Sequence, residues 1–185
     1  MNQIARRATA AMLPFLLVFG AFATSAAASS PEDWAKAYCK AGPKVTDALN
    51  ASAEIERELV DVIRANTDAT EVIDRYDTQL AKVAKLAKKA AKALKKAGAP
   101  DVKNGAKLNS AGIKAYKTVS TEIATARAAL ADIDPTNPAA SGDPLLALGG
   151  ALGDAASALN DFSFDALSPA LEKSKDLTLA VSDAC

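Results

Sequence analysis

From Val45 to Leu130 the apolar residues of this chain return every third or fourth position, and few folds accept that spacing. One stripe runs Val45, Ala48, Ser52, Ile55, Leu59 and Val62. A second runs Ile73, Tyr76, Leu80, Val83, Ala87, Ala90, Leu94 and Ala97, and a third Val102, Ala106, Ile113, Tyr116, Ile123 and Leu130. Alternating steps of three and four keep one face of a helix pointed inward. No segment shows the period-two alternation of a half-buried strand. The expected fold is therefore all-α, an antiparallel bundle of about four long helices, preceded by a short N-terminal one.

Local signals mark the ends of these helices. Ser30-Pro31-Glu32-Asp33 combines a capping serine, a proline in the first turn and an acid three residues after the cap. It predicts a short helix carrying Trp34, Tyr38 and Cys39, interrupted at Gly42-Pro43. Asn66-Thr67-Asp68 should close the next helix and cap the one after. Gly98-Ala99-Pro100 is a strong stop, and a helix from Asp101 to about Asp132 should end in the loop DPTNPAASGDP, residues 134–144. Asp143-Pro144 restarts a helix through LLALGGALGDAASAL, where Gly149 to Gly153 read as permitting close packing or a bend. A break is expected over Asn160 to Phe164, before a last helix carrying Leu167, Leu171, Thr178, Val181 and Cys185.

The N-terminal residues bear on compartment. Arg6 and Arg7 are followed by an apolar run from Ala10 to Ala23, and Ala26-Ala27-Ala28 offers a cleavage site, the pattern of a secretory signal. The 14-residue run is shorter than the ~20 residues a helix needs to span a bilayer core, so no stable membrane span is expected after cleavage. Residues 1–28 are read as a signal peptide and residues 29–185 as one helical-bundle domain, secreted or held at the cell envelope. Within it are two cysteines, Cys39 and Cys185, separated by 146 residues. In an oxidising compartment such a pair is expected to join, removing roughly 5 kcal/mol of denatured-state entropy in the chain-entropy account.

Charge is unevenly distributed. Residues 29–81 carry 11 acids and 6 bases, residues 82–117 carry 11 lysines and one acid, and residues 118–185 carry 10 acids and 3 bases. Seven of the lysines, Lys82, Lys85, Lys88, Lys89, Lys92, Lys95 and Lys96, fall within KVAKLAKKAAKALKK. With Leu80 and Val83 as heptad positions a and d, every one of them takes an outward b, c or f position. Three readings of this face follow: a solvated face, partly neutralised by Glu54, Glu56, Glu58 and Asp61 of the preceding helix; a surface for an anionic cell-wall polymer or another envelope protein; or a membrane-surface helix. The last is disfavoured because the apolar side is mostly alanine. Sequence-specific nucleic-acid reading is disfavoured too, since the block holds no arginine and a single aromatic, Tyr116.

The chain has no histidine, which removes Ser-His and Cys-His couples and histidine metal or haem ligation. Asp132, Asp134 and Asn137 in DIDPTN lack the glycine and glutamate of a calcium loop and read as a helix end and turn. No cofactor, metal or catalytic residue is expected.

The signal peptide, the early cysteine, the segment LKKAGAPDVKNGAKLNSAGIKAYKTVSTEIATARAALADI at residues 94–133 and the late cysteine together resemble small secreted or lipoprotein-like helical proteins of actinobacteria, a largely uncharacterised group. The resemblance implies a cell-envelope or extracellular setting and supplies no activity. The expectation is an exported, non-enzymatic bundle that acts by binding; the other is a carrier for a small apolar ligand in the bundle interior.

Overall fold

The chain turns back on itself wherever a polar or glycine-bearing segment interrupts a stripe. The computed structural model describes residues 28–185, so the signal-peptide reading lies, except for residue 28, outside the described residues. Helix α1 spans Pro31–Ala65, α2 Thr70–Ala97, α3 Gly105–Ala131 and α4 Gly142–Asp161; a π-helical turn, Phe162–Leu167, leads into α5, Ser168–Lys173, and α6 spans Lys175–Ala184. A single 3₁₀ turn, Pro138–Ala140, lies in the loop before α4. The described residues form an all-α bundle in which α2 packs on α1, α3 on α2 and α4 on α3, while α6 returns to α1. The long helices run antiparallel: Arg75 pairs with Glu58 and Gln79 donates to the Ala48 carbonyl at 2.7 Å, a register that descends in α1 as it rises in α2.

Most of the expected ends are observed. The Ser30 hydroxyl accepts from the Asp33 N–H at 3.1 Å, capping α1. Asn66 takes the left-handed conformation at φ 48°, its N–H bonding to the Ile63 carbonyl, and the Asp68 carboxylate accepts from the Thr70 N–H at 2.8 Å to start α2. Gly98, at φ 82°, closes α2 in a conformation that only glycine adopts cheaply. The Asp134 carboxylate accepts from both the N–H and the hydroxyl of Thr136, which makes DIDPTN the helix end and turn that was expected.

α3 begins at Gly105 rather than Asp101, and three further expectations differ. The first is Gly42-Pro43, which does not interrupt α1: there is no separate short N-terminal helix, and α1 runs unbroken for 35 residues. An interior proline costs about 3 kcal/mol. Trp34 and Ala35 before it and Val45, Ala48 and Leu59 after it, however, lie on one buried stripe, and each large side chain contributes about 1.5–3 kcal/mol on burial. Continuity wins. Gly42 is there for packing, because a β-carbon on it would sit 2.5 Å from the Tyr116 hydroxyl and 2.9 Å from the Tyr38 ring.

The second is the predicted break over Asn160 to Phe164. The chain stays helical and widens into the π turn, where the Ser168 hydroxyl donates to the Ser163 carbonyl at 2.8 Å. Pro169, lacking an N–H, cannot continue a regular ladder, and the wider turn brings Phe162 and Leu167 to the core together. The break falls instead at Ser174, which is extended and whose hydroxyl accepts from the Leu177 N–H at 3.2 Å. The third concerns Gly149, Gly150 and Gly153. They do not serve close packing: α4 is continuous through them, and a β-carbon on any of them would meet nothing within 4 Å.

An aromatic cluster forms where α1, α3 and the π turn meet. Trp34 stacks on Tyr38 with centroids 5.5 Å apart, Phe162 touches both Tyr38 and Tyr116, and the Trp34 indole N–H donates to the buried Asn109 side chain at 3.0 Å. Beside this cluster Cys39 and Cys185 are joined, their Cα atoms 5.0 Å apart across 146 residues of sequence. The expected disulfide is present, and it holds α6 against α1.

Two outcomes test this account. Because Gly149, Gly150 and Gly153 lose conformational entropy without any packing return, each Gly→Ala replacement should raise stability by about 0.5–1 kcal/mol in urea titrations; Gly42→Ala or Gly112→Ala should lower it by about 1–3 kcal/mol through overpacking. Arg127 holds Asp77 by two hydrogen bonds of 2.7 and 2.8 Å, joining α3 to α2, and these bonds hold the Asp77 carboxyl below its ordinary range. A depressed carboxyl stabilises the fold above its unfolded pKa of ~3.9, and that contribution is lost as pH falls through the folded value. Both side chains are about 40% exposed, so Arg127→Gln should cost no more than about 1 kcal/mol at pH 7. The cost should fade in melts taken below pH 4.

Candidate functional site

The lysines singled out in the sequence all reach solvent. Lys82, Lys85, Lys88, Lys89, Lys92, Lys95 and Lys96 are exposed, while Val83, Ala87, Ala90, Ala91 and Leu94 between them are buried. The face follows from residue choice. Alanine, leucine and lysine are strong helix formers, so α2 forms readily, and burial of its narrow methyl-rich seam against α1 and α3 turns the b, c and f positions outward. Over Lys82 to Lys96 the face extends about 21 Å at 1.5 Å per residue.

None of the acids expected to neutralise this face forms an ion pair with its lysines among the described residues. Glu58 pairs with Arg75 and Asp61 sits beside Arg64, and no lysine takes part in a salt bridge among the described residues. Antiparallel register is the reason. Glu54 to Asp61 belong to the C-terminal half of α1, which lies beside the N-terminal half of α2; all the lysines but Lys82 lie in the other half. The remaining lysines of the basic block are differently placed. Lys107 and Lys114 of α3 share a groove with Asp154, Asp161 and Asp165 of α4 and its π turn, so their charge is opposed across the helix pair. The groove that Lys89 and Lys96 of α2 line has one acid in its wall, Asp33.

Between α1 and α2 lies a groove of about 560 Å³. Its floor is Ala37 and Ala41 of α1 with Leu86, Ala93 and Ala97 of α2. Lys40 and Lys44 rise on one side and Lys89 and Lys96 on the other, and Asp33 is the sole acid. Sequence reasoning did not find Lys40 and Lys44 as partners of the α2 lysines. Their signal was present: Asp33, Ala37, Lys40, Ala41 and Lys44 follow one helical stripe. Reading Gly42-Pro43 as an interruption cut that stripe in two.

The other chemistry-bearing groups are committed elsewhere. Burial pushes the Tyr116 phenol upward, and burial followed by the nearby Glu56 charge does the same to Tyr76, so both rings stay neutral in the core. The Tyr76 hydroxyl has no hydrogen-bond partner. Cys39 and Cys185 are bonded to one another and neither is a free thiol. Among the described residues no group of three or more histidine, cysteine or acidic side chains is placed to hold a metal, and no helix is long and apolar enough to cross a membrane.

Comparison with known proteins adds no relative: no family model, no curated protein and no solved structure matches the chain.

Lysines at spacings of three and four on one helix repel each other by about 0.2–0.5 kcal/mol per pair, and none of these is in an ion pair among the described residues. Replacing Lys85, Lys88, Lys92 and Lys95 together with glutamine, whose helix propensity is similar, should therefore leave the melting temperature unchanged or raise it slightly at low salt. A lowered melting temperature, read by circular dichroism, would show that these lysines balance acids in the fold.

Proposed function

We propose that this protein is an exported, non-enzymatic helical bundle that acts by binding, its ligand an anionic polymer of the cell envelope held along the lysine face of α2. The observation that carries the reading is the unpaired state of that face: seven exposed lysines on one helix and none in an ion pair among the described residues. Such a row is a summed positive field with little geometric selectivity. It suits a flexible polyanion with a repeating charge, which gains affinity by releasing its condensed counterions. Arginine forks, which would read one planar group, are absent from α2 after Arg75.

Export rests on the signal pattern of residues 1–28 and is supported by the disulfide, which persists in oxidising compartments. The described structure also accommodates a mature chain that begins at Ser29. The Ser29 nitrogen donates to the Ala99 carbonyl at 2.8 Å and its carbonyl accepts from the Asp101 N–H at 2.8 Å, so the first residue after the cleavage site is tied to the α2–α3 loop.

The test is retention of the disulfide-intact protein on polyphosphate or polyuronate resin at ~0.15 M salt, where charges are screened beyond about 8 Å. Retention is expected for the wild type. With four to seven phosphates engaged, affinity for polyphosphate should fall with salt at a log–log slope of roughly 3–5. The Lys85, Lys88, Lys92, Lys95→Gln variant should elute early. A wild type that flows through would overturn the reading, and an exported product retaining Met1 would overturn its compartment.

A further inference from the structure

The groove between α1 and α2 has a composition that a polyanion leaves half unused. Its floor, Ala37, Ala41, Leu86, Ala93 and Ala97, is apolar, and its rim of Lys40, Lys44, Lys89 and Lys96 is cationic. A polymer lying over the lysines would leave the floor wet. A neutral lipid would cover the floor and gain nothing from the rim. We infer that this groove binds a monomeric single-chain anionic amphiphile, its acidic headgroup among the lysines and its hydrocarbon chain along the floor.

Register orders the two parts. Since α1 and α2 are antiparallel, Asp33 shares one end of the groove with Lys96 and Ala97, and Lys44 shares the other with Leu86 and Lys89. The acid-free end, with Lys40, Lys44 and Lys89, receives the headgroup. Chain methylenes then run over Ala41, Ala93 and Ala37 toward Asp33, about 12 Å along α1 from Ala41. Each methylene covered contributes about 0.8 kcal/mol at most, and lysine is a flexible point-charge partner for phosphate or carboxylate. Disulfide closure adds to this by fixing α1 at Cys39, one residue from Lys40, so that the α1 wall of the groove is braced.

The inference goes beyond the polymer reading and shares only Lys89 and Lys96 with it; Lys85, Lys88, Lys92 and Lys95 do not line the groove. Calorimetric titration of the disulfide-intact protein tests it with three probes below their micellar concentrations: dodecyl phosphate, ethyl phosphate and dodecyl maltoside. Dodecyl phosphate should bind at one site, at least about tenfold more tightly than either of the others. Ala93→Trp, which fills the groove, should weaken it by about tenfold or more. Lys40→Gln with Lys44→Gln should weaken it too and make it less salt-dependent, and this pair provides the reading if Ala93→Trp fails to fold by circular dichroism. The Lys85, Lys88, Lys92, Lys95→Gln variant should bind dodecyl phosphate as the wild type does, whether or not it has lost polymer retention. Equal binding of dodecyl maltoside, equal binding of ethyl phosphate, or binding confined to anionic phosphatidylglycerol vesicles would each overturn the inference. So would a dodecyl phosphate affinity unmoved by the groove variants.

Discussion

The continuity of α1 through Pro43 is the constraint from which the rest of the architecture follows. A helix broken there would free Trp34 and Tyr38 from the register of Val45, Ala48 and Leu59, and the aromatic cluster with Tyr116 and Phe162 would lose its first member. An unbroken helix carries Cys39 at a fixed angle to the core, where α6 can reach it. It also lays Ala37, Lys40, Ala41 and Lys44 along α2, which creates the groove. The proline costs helix energy, and the buried stripe on both sides of it offsets that cost.

Packing and charge are separated in this bundle. Small residues allow the helices to approach: Gly112 lets α3 come against Leu94 and Phe162, where an added β-carbon would sit 2.8 Å from the leucine. Acids and bases then sort by which helix ends face each other. Glu58 meets Arg75, Asp77 meets Arg127, and the α3 lysines face the α4 acids. The lysine half of α2 lies beside the half of α1 that carries Lys40 and Lys44. Across the groove this sets Lys40 and Lys44 against Lys89 and Lys96 with Asp33 as the one acid, and it is the physical ground for reading the region as a binding surface.

The disulfide and the bridge that Ser29 makes to Pro100 close the same end of the bundle by different means. Cys39–Cys185 fixes α6 covalently, while Ser29 adds two backbone hydrogen bonds to the residues flanking Pro100, next to the C-terminal end of α2. The lysine-bearing half of α2 thus sits at the more constrained end. A surface that binds a charged ligand gains from such bracing, because fewer degrees of freedom are lost on association.

Helix class, the inward stripe of α2, the outward lysines, the cap at Ser30 and the pairing of Cys39 with Cys185 were legible in the sequence, because each depends on local spacing, local hydrogen bonding or a count of two. The unbroken α1, the π turn at Phe162 and the break at Ser174 were not. Proline and asparagine signal interruption by their local cost, and whether that cost is met depends on burial supplied by residues far along the chain: Tyr116 over Gly42, Phe162 against Tyr38. The groove was illegible for the same reason. Which lysines of α1 face which lysines of α2 is fixed by antiparallel register, a relation between two helices that neither stripe contains. The sequence alone determined that α2 has a cationic face; only the tertiary structure decided that the acids meant to balance it lie beside the other half of the helix, because the four-residue turn Asn66 to Ala69 brings the N-terminal half of α2, and not its lysines, back against them.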